Sequence, residues 1–262
     1  MRAFARLVGS AVVVSIGFAS FAAELHHHTI RAFDSYIKRV ESEMDRQVRS
    51  SRFLNLDQDP DKLAQARKGE LVIWSPDENP IPVRDGLIHD WTGGMFIPGA
   101  TLAETLRVIK DYDNHKNIYG PEVEDSKLLS REGDKFRIYL RLRKKKILTV
   151  ILNTEHDVSY YPIDATKVYS KSYTTKIAEV EDAGTAEETE KPQGHDNGFL
   201  WKLYSYWRFA ERDGGVYVEC RAISLSRGIP FGAAWLVEPI IKELPRESLE
   251  KTLIASRGKP KK

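Results

Sequence analysis

The feature that most constrains this chain is a succession of short apolar runs between residues 127 and 225, each closed by a turn signal. The runs lie at 127–129, 136–143, 147–152, 158–161 and 168–177, with Glu132-Gly133-Asp134 marking the first reversal. Two more, at 199–209 and 216–225, bracket Asp213-Gly214-Gly215, the composition of a tight hairpin. Parallel strands need a crossover of a dozen or more residues, usually a helix. These gaps are too short for that, so the runs predict five short strands in an antiparallel meander followed by a hairpin.

Helical periodicity appears only at the flanks. Ile30, Phe33, Ile37, Val40 and Met44 recur every three or four residues and predict an amphipathic helix over 29–48 with Thr29 as its N-cap. Residues 55–86 are irregular, with one short strand at 70–74. A strand follows at 87–97, closed by Pro98-Gly99, and then Thr101 with Glu104 three residues on gives the capping-box pattern of a helix reaching Tyr112. Near the C-terminus the pattern is helical over 233–242, is interrupted by Pro245 and resumes over 247–256. Residues 181–197, rich in Glu, Gly and Thr, read as a solvated, mobile loop. The fold class expected is α+β.

The first residues carry an export pattern. Arg2 and Arg6 form a basic start, and 7–22 is uncharged but diluted by Gly9, Ser10, Ser15 and Gly17, short of the ~20 apolar residues that span a bilayer. Ser20-Phe21-Ala22 puts small residues at the two positions a signal peptidase reads, so cleavage is expected before Ala23 and the mature protein is expected to be periplasmic or secreted. Removing Arg2 and Arg6 takes Lys+Arg from 40 to 38, equal to the 38 Asp+Glu. A neutral domain lacks the excess of basic residues on which nucleic-acid binding rests. The basic clusters at 141–146 and 257–262 read as solvated surface. With Cys220 as the only cysteine, no internal disulfide forms, and stability must come from the core.

Chemistry-bearing motifs are few. G-x-S-x-G, Gly-rich phosphate loops, the dinucleotide fingerprint and H-E-x-x-H are all missing from the sequence. His26-His27-His28 is a poor chelating set, because consecutive helical residues point about 100° apart, so no metal is expected. Cys220 alternates with Val216, Val218 and Ala222 and reads as a small buried hydrophobe. Glu219 and Arg221 share a strand face with Tyr217 and Ile223. They suggest either a cross-strand ion pair on the outside of the sheet or a buried polar pair that anchors a ligand head group. In the 87–97 strand, Leu87, His89, Trp91 and Met95 form the more apolar face, which should look inward, with Asp90 and Thr92 opposite.

The order strand, helix, long meander, C-terminal helix is that of the helix-grip fold. Asp111-Tyr112-Asp113-Asn114-His115, Pro121-Glu122-Val123-Glu124-Asp125-Ser126 and Leu128 resemble the helix-to-strand passage of START-like proteins, a superfamily shared with polyketide cyclases and birch-pollen-allergen proteins. Gly214-Gly215-Val216-Tyr217-Val218-Glu219, Ser224-Leu225-Ser226 and Gly228-Ile229-Pro230 resemble their closing stretch. The resemblance covers roughly 85–257, between an N-terminal helix with irregular extension at 23–84 and a basic tail at 258–262. It implies a curved antiparallel sheet wrapped around a long C-terminal helix, enclosing an apolar cavity for a lipid or other hydrophobic small molecule, with transient membrane contact and no cofactor. In that layout the ligand-lining residues are His89, Trp91, Met95, Trp207, Arg221, Trp235, Leu236 and Ile240. The alternatives are a polyketide-cyclase-like or hydrolytic enzyme using the same cavity through His89, or an interaction module that recruits a partner through the N-terminal helix.

Overall fold

The computed structural model describes residues 24–145, 149–192, 194–228 and 234–258, and for 234–242 the backbone path alone. The expected leader and its cleavage site before Ala23 lie outside the described residues, as does most of the basic tail. Among the described residues, no helix is long and apolar enough to cross a membrane.

Ten strands form one antiparallel sheet: β1 (Val72–Trp74), β2 (Ile81–Val83), β3 (Gly86–Pro98), β4 (Val123–Glu132), β5 (Lys135–Lys145), β6 (Thr149–Asp164), β7 (Lys167–Glu181), β8 (Thr189–Glu190), β9 (Lys202–Arg212) and β10 (Gly215–Arg227). Their order is β1-β3-β10-β9-β7-β6-β5-β4, with β2 on β3 and β8 on β7. The hairpin turn at Asp213-Gly214 has φ of 57° and 77°, the left-handed values that a two-residue turn between twisted strands demands.

Where five meander strands were expected, four long ones form. The 147–152 and 158–161 runs belong to the single strand β6, whose polar Thr154 and His156 face the interior and break the apolar alternation. A bulge against β7 at Glu155/His156 absorbs the irregularity. The 181–197 loop is likewise more tied down than expected. Its β8 pairs with β7, Glu188 forms a two-pronged pair with Arg141 (both 2.9 Å), and Lys176 bonds Glu190 at 2.6 Å.

Two helical layers cover the sheet. α5 (Ala234–Ser256) runs unbroken through Pro239 and Pro245, so the expected interruption at Pro245 does not occur. It lies over β3 and β10, with Leu249 and Leu253 in the same apolar cluster as Met95, Val218 and Cys220. Gly93 makes this close approach feasible, since a Cβ there would sit 2.4 Å from Leu253 Cδ1. α3 (Leu102–Ile109) closes one end, and both hydrogen bonds of its Thr101/Glu104 capping box are present. The short α4 (His115–Ile118) leads into β4.

The opposite, outer face is covered by residues that precede the sheet. α1 (His27–Val48) starts two residues before Thr29, so Thr29 is not its cap. Thr29 instead lies inside the first turn and donates its hydroxyl to the Arg84 carbonyl at 2.8 Å. Phe33, Ile37, Val40 and Met44 pack with Ile88, Trp201, Tyr206, Ile223 and Leu225. The chain then continues through a 3-10 turn at Asn55–Gln58 and α2 (Pro60–Arg67), which bury Leu54, Leu56 and Ala66 against Phe96 and Tyr217. The apolar stripe of α1 is thus packed on its own sheet. Phe33 is fully buried, and Phe33→Ala is expected to cost about 3–5 kcal/mol. Calorimetry should show Tm falling by about 10 °C for a chain of this size.

Candidate functional site

Strand register builds the inner face as rows that run across the sheet. One row is Tyr160, Ser170, Trp207, Cys220 and Gly93; the next is Val158, Ser172, Ser205, Ala222 and Trp91. In the third, His156 stands opposite Thr174 on β7, while Leu203, Ser224 and His89 align on β9, β10 and β3. The Thr174 hydroxyl joins the two halves by accepting the Leu203 N–H at 3.1 Å. Small side chains therefore occupy the middle of the face, with the bulkier Trp91, Trp207, His89 and His156 around them. Ser205, Ala222, Trp91 and Trp207 are only half-buried, although they lie on inner strands. Their outer-face neighbours Tyr206 and Ile223 are fully buried. The centre of the inner face is thus less completely covered than the outer face opposite it.

Several polar atoms at this face are buried without a partner. They are His89 Nδ1, Trp91 Nε1 and Ser170 Oγ. A buried donor or acceptor left unmet costs roughly 1–3 kcal/mol; His89 and Trp91 are neighbours on β3, and Ser170 stands three strands away on β7. The other His89 nitrogen, Nε2, lies 3.0 Å from Ser226 Oγ. That hydroxyl also lies 3.3 Å from the Arg227 carbonyl, to which it can donate. His156 Nε2 pairs with Thr154 Oγ1 at 3.0 Å, and that hydroxyl donates to the Leu140 carbonyl. Burial lowers the pKa of both imidazoles from 6.5 to about 4, so both are neutral at physiological pH. They stand at opposite ends of their row, four strand spacings or about 19 Å apart. Burial also pushes the Cys220 thiol up, as its reading as an inert hydrophobe requires.

The structure brings His89, Trp91, Met95 and Trp207 together on the inner face, as the parity of β3 and the hairpin register dictate. Trp235, Leu236 and Ile240 fall in the stretch of α5 whose side chains lie outside the described residues. Arg221 is a correction. Its register partner Thr92 belongs to the outer face, and its guanidinium grips Asp90 there at 2.5–2.9 Å. Tyr36 of α1 donates to the same carboxylate at 2.6 Å. Glu219 and Arg221 do not pair with each other; each forms a cross-strand ion pair on the outer face, Arg221 with Asp90 and Glu219 with Arg208. Glu219 faces Arg208 across the strands at 3.6 Å and accepts the N–H groups of Asn55 and Leu56 at 3.1 Å. Both ion pairs lie on the outer face of the sheet and are buried there under the N-terminal extension.

The small and polar residues of the floor, Ser170, Ser172, Ser205, Ala222, Ser226 and His156, escaped sequence reasoning. The alternation in Val168-Tyr169-Ser170-Lys171-Ser172-Tyr173 separates two faces clearly. It does not say that the serine face is the inner one, since tyrosines suit a core equally well. Elsewhere, an open groove of about 680 Å³ follows α1 on the outer face, lined by Asp34, Lys38, Glu41, Asp45, Arg49 and Tyr204. Its mixed charges make it a solvated surface. No group of three or more metal-ligating side chains occurs among the described residues.

No protein-family model and no curated protein matches the sequence. Solved structures with a similar layout include a protein of Thermus thermophilus (16% identity, covering 63% of this chain and 92% of that one, TM-score 0.46). A STAR-related lipid transfer protein fragment of Xanthomonas axonopodis has 15% identity, 72% and 98% coverage and a TM-score of 0.44. The Zhui aromatase/cyclase of a Streptomyces species has 11% identity, 65% and 89% coverage and a TM-score of 0.45. All three scores lie below one half, so the assignment rests on the chain's own elements. A curved antiparallel sheet closed by the β9–β10 hairpin holds the long C-terminal helix against its inner face, and by that arrangement the chain has the α+β helix-grip fold, with an added N-terminal helix on the outer face.

Proposed function

We propose that this chain is an exported binding protein that carries a hydrophobic small molecule, such as a lipid, between the inner sheet face and α5. The observation that supports this most is the half-buried row Ser205, Ala222 and Trp91 at the sheet centre, with the unmet polar atoms of His89, Trp91 and Ser170 around it. A site for an apolar ligand needs a mostly apolar, enclosed space and a few polar groups that orient the occupant. Met95, Val218, Cys220, Leu249 and Leu253 supply apolar walls. Export rests on the basic start, the uncharged 7–22 segment and Ser20-Phe21-Ala22. Loading from a membrane surface belongs to the same reading.

One experiment reads both halves of the proposal. The chain, expressed from Met1 in an exporting bacterial host and recovered from the periplasm or medium, is taken into native mass spectrometry. The expected result is a mature mass beginning at Ala23 and a bound molecule of a few hundred daltons, released on denaturation and soluble in organic solvent. A chain that keeps residues 1–22 would refute export. A protein that is empty and also fails to bind a neutral apolar dye such as Nile red would refute the carrier function.

A further inference from the structure

We infer that a cleft on the outer face, between the N-terminal extension and the edge of the sheet, is a binding site for a neutral sugar. It is separate from the carrier site, which lies on the inner face. An open cavity of about 420 Å³ stands there, within the range of small-molecule sites, about 300–1,000 Å³. Strand register lays its floor. Trp74 on β1 stands opposite Thr92 on β3, and Thr92 stands opposite Arg221 on β10. Gln58, Asp59 and Lys62, from the 3-10 turn and the start of α2, form its walls together with Ser75 and Pro76, which follow β1.

Two groups of the floor call for an occupant. Thr92 is only 4% exposed and lines the cleft, yet its hydroxyl has no partner among the described residues. Arg221 gives Nε and Nη2 to Asp90, and its Nη1 is likewise without a described partner. Neither atom is sealed from solvent, and both residues border the same space. The side chains of Ser75 and Gln58 add a hydroxyl and an amide that are also unengaged. The charges around the cleft cancel in pairs. Lys62 bonds Asp59, and Asp90 holds Arg221 while accepting the Tyr36 hydroxyl. An anion would meet an arginine already neutralised and the Asp59 carboxylate beside it, and a cation would meet Lys62. What remains is a set of donors and acceptors without net charge. Sugar hydroxyls both donate and accept, so they suit Thr92, Ser75, Gln58 and the donating Nη1 alike. The half-buried indole of Trp74, with Lys62 Nζ 5.7 Å from its centroid, gives an apolar wall against which the C–H groups of a sugar ring pack.

The test is saturation-transfer NMR of the mature protein near neutral pH with the methyl glycosides of glucose, galactose and mannose at millimolar concentration, beside glucuronate and glucosamine. At least one methyl glycoside is expected to show transfer, and neither charged sugar should bind more tightly than it. Thr92→Val keeps the β-branched shape and removes only the unpartnered hydroxyl. It should leave the melting temperature unchanged and weaken the glycoside about fivefold, the loss of one hydrogen bond. Trp74→Ala should abolish transfer, and Thr92→Val decides should Trp74→Ala lose its thermal transition. Absence of transfer to every methyl glycoside, tighter binding of glucuronate or glucosamine, or an affinity unchanged in Thr92→Val would overturn the sugar site. Nile red binding belongs to the inner face and is read separately, so either site can fail while the other stands.

Discussion

Glu219→Ala is expected to destabilise the protein by about 3–5 kcal/mol, because it strips the partner from a charge that has nowhere else to go. Glu219 and Arg208 are each 2% exposed and stand 3.6 Å apart under the N-terminal extension. The carboxylate also accepts both N–H groups of Asn55, backbone at 3.1 Å and side chain at 2.8 Å, together with the Leu56 N–H at 3.1 Å. Arg208 in turn donates to the Phe53 carbonyl at 2.9 Å. Burial pushes the Glu219 carboxyl up, against the pull of Arg208 and those N–H groups. With only alanine there, Arg208 is stranded and three donors are left buried. Residues 53–56 are the segment this pair holds, so trypsin should cut at exposed Arg52 in the variant and spare it in the wild type. Replacing both members, Glu219→Leu with Arg208→Leu, should recover much of the loss, since a matched apolar pair avoids the stranded charge. A melting temperature within 2–3 °C of wild type for Glu219→Ala, a shift worth only about 1 kcal/mol, would show that the pair does not anchor the extension.

Acid should destabilise the protein well above the range in which exposed carboxylates titrate. His89, His115 and His156 are each held at about pKa 4 by burial, against an ordinary value of 6.5. A depressed folded-state pKa means that below pH 6.5 the unfolded chain takes up protons the folded chain refuses. The stability these groups confer is whole above pH 6.5 and is lost as pH falls toward 4. From pH 7 to 5 each histidine accounts for about 2 kcal/mol, or roughly 5 kcal/mol for the three. Glu179 and Glu219 oppose the trend, since burial raises both carboxyls and their protonation favours the folded state as pH falls. The individual contribution is therefore read by difference. Urea unfolding of His156→Gln, whose amide can still reach Thr154, should show a pH dependence between 6.5 and 4 weaker than wild type by close to one proton. An unchanged slope would mean that His156 is protonated in the folded state.

What the sequence determined by itself is local. Strand alternation put His89, Trp91 and Met95 on one face of β3, and the apolar stripe of α1 named the residues it buries. Asp213-Gly214 forced a two-residue turn because few other residues accept positive φ at both positions. The capping box of α3 was readable for the same reason, since its two hydrogen bonds close within four residues. Tertiary structure decided everything that depends on which layer covers which face. Arg221 reads as a candidate for the cavity until α1 and the 53–56 segment are seen to lie across the outer face. There they turn Asp90, Arg208, Glu219 and Arg221 into buried pairs. Thr154 and His156 made β6 look broken because polar residues on an inner face are rare, and only the neighbouring strand shows the Leu140 carbonyl that accepts the Thr154 hydroxyl, which in turn meets His156. The serines at 170 and 172 acquire meaning only from strands some thirty to eighty residues away, which bring Ser205, Ala222 and Trp91 into the same rows. Alternation repeats every two residues and says that two faces differ. Which face is enclosed is set by burial of apolar area between layers, and that is a property of the assembled chain.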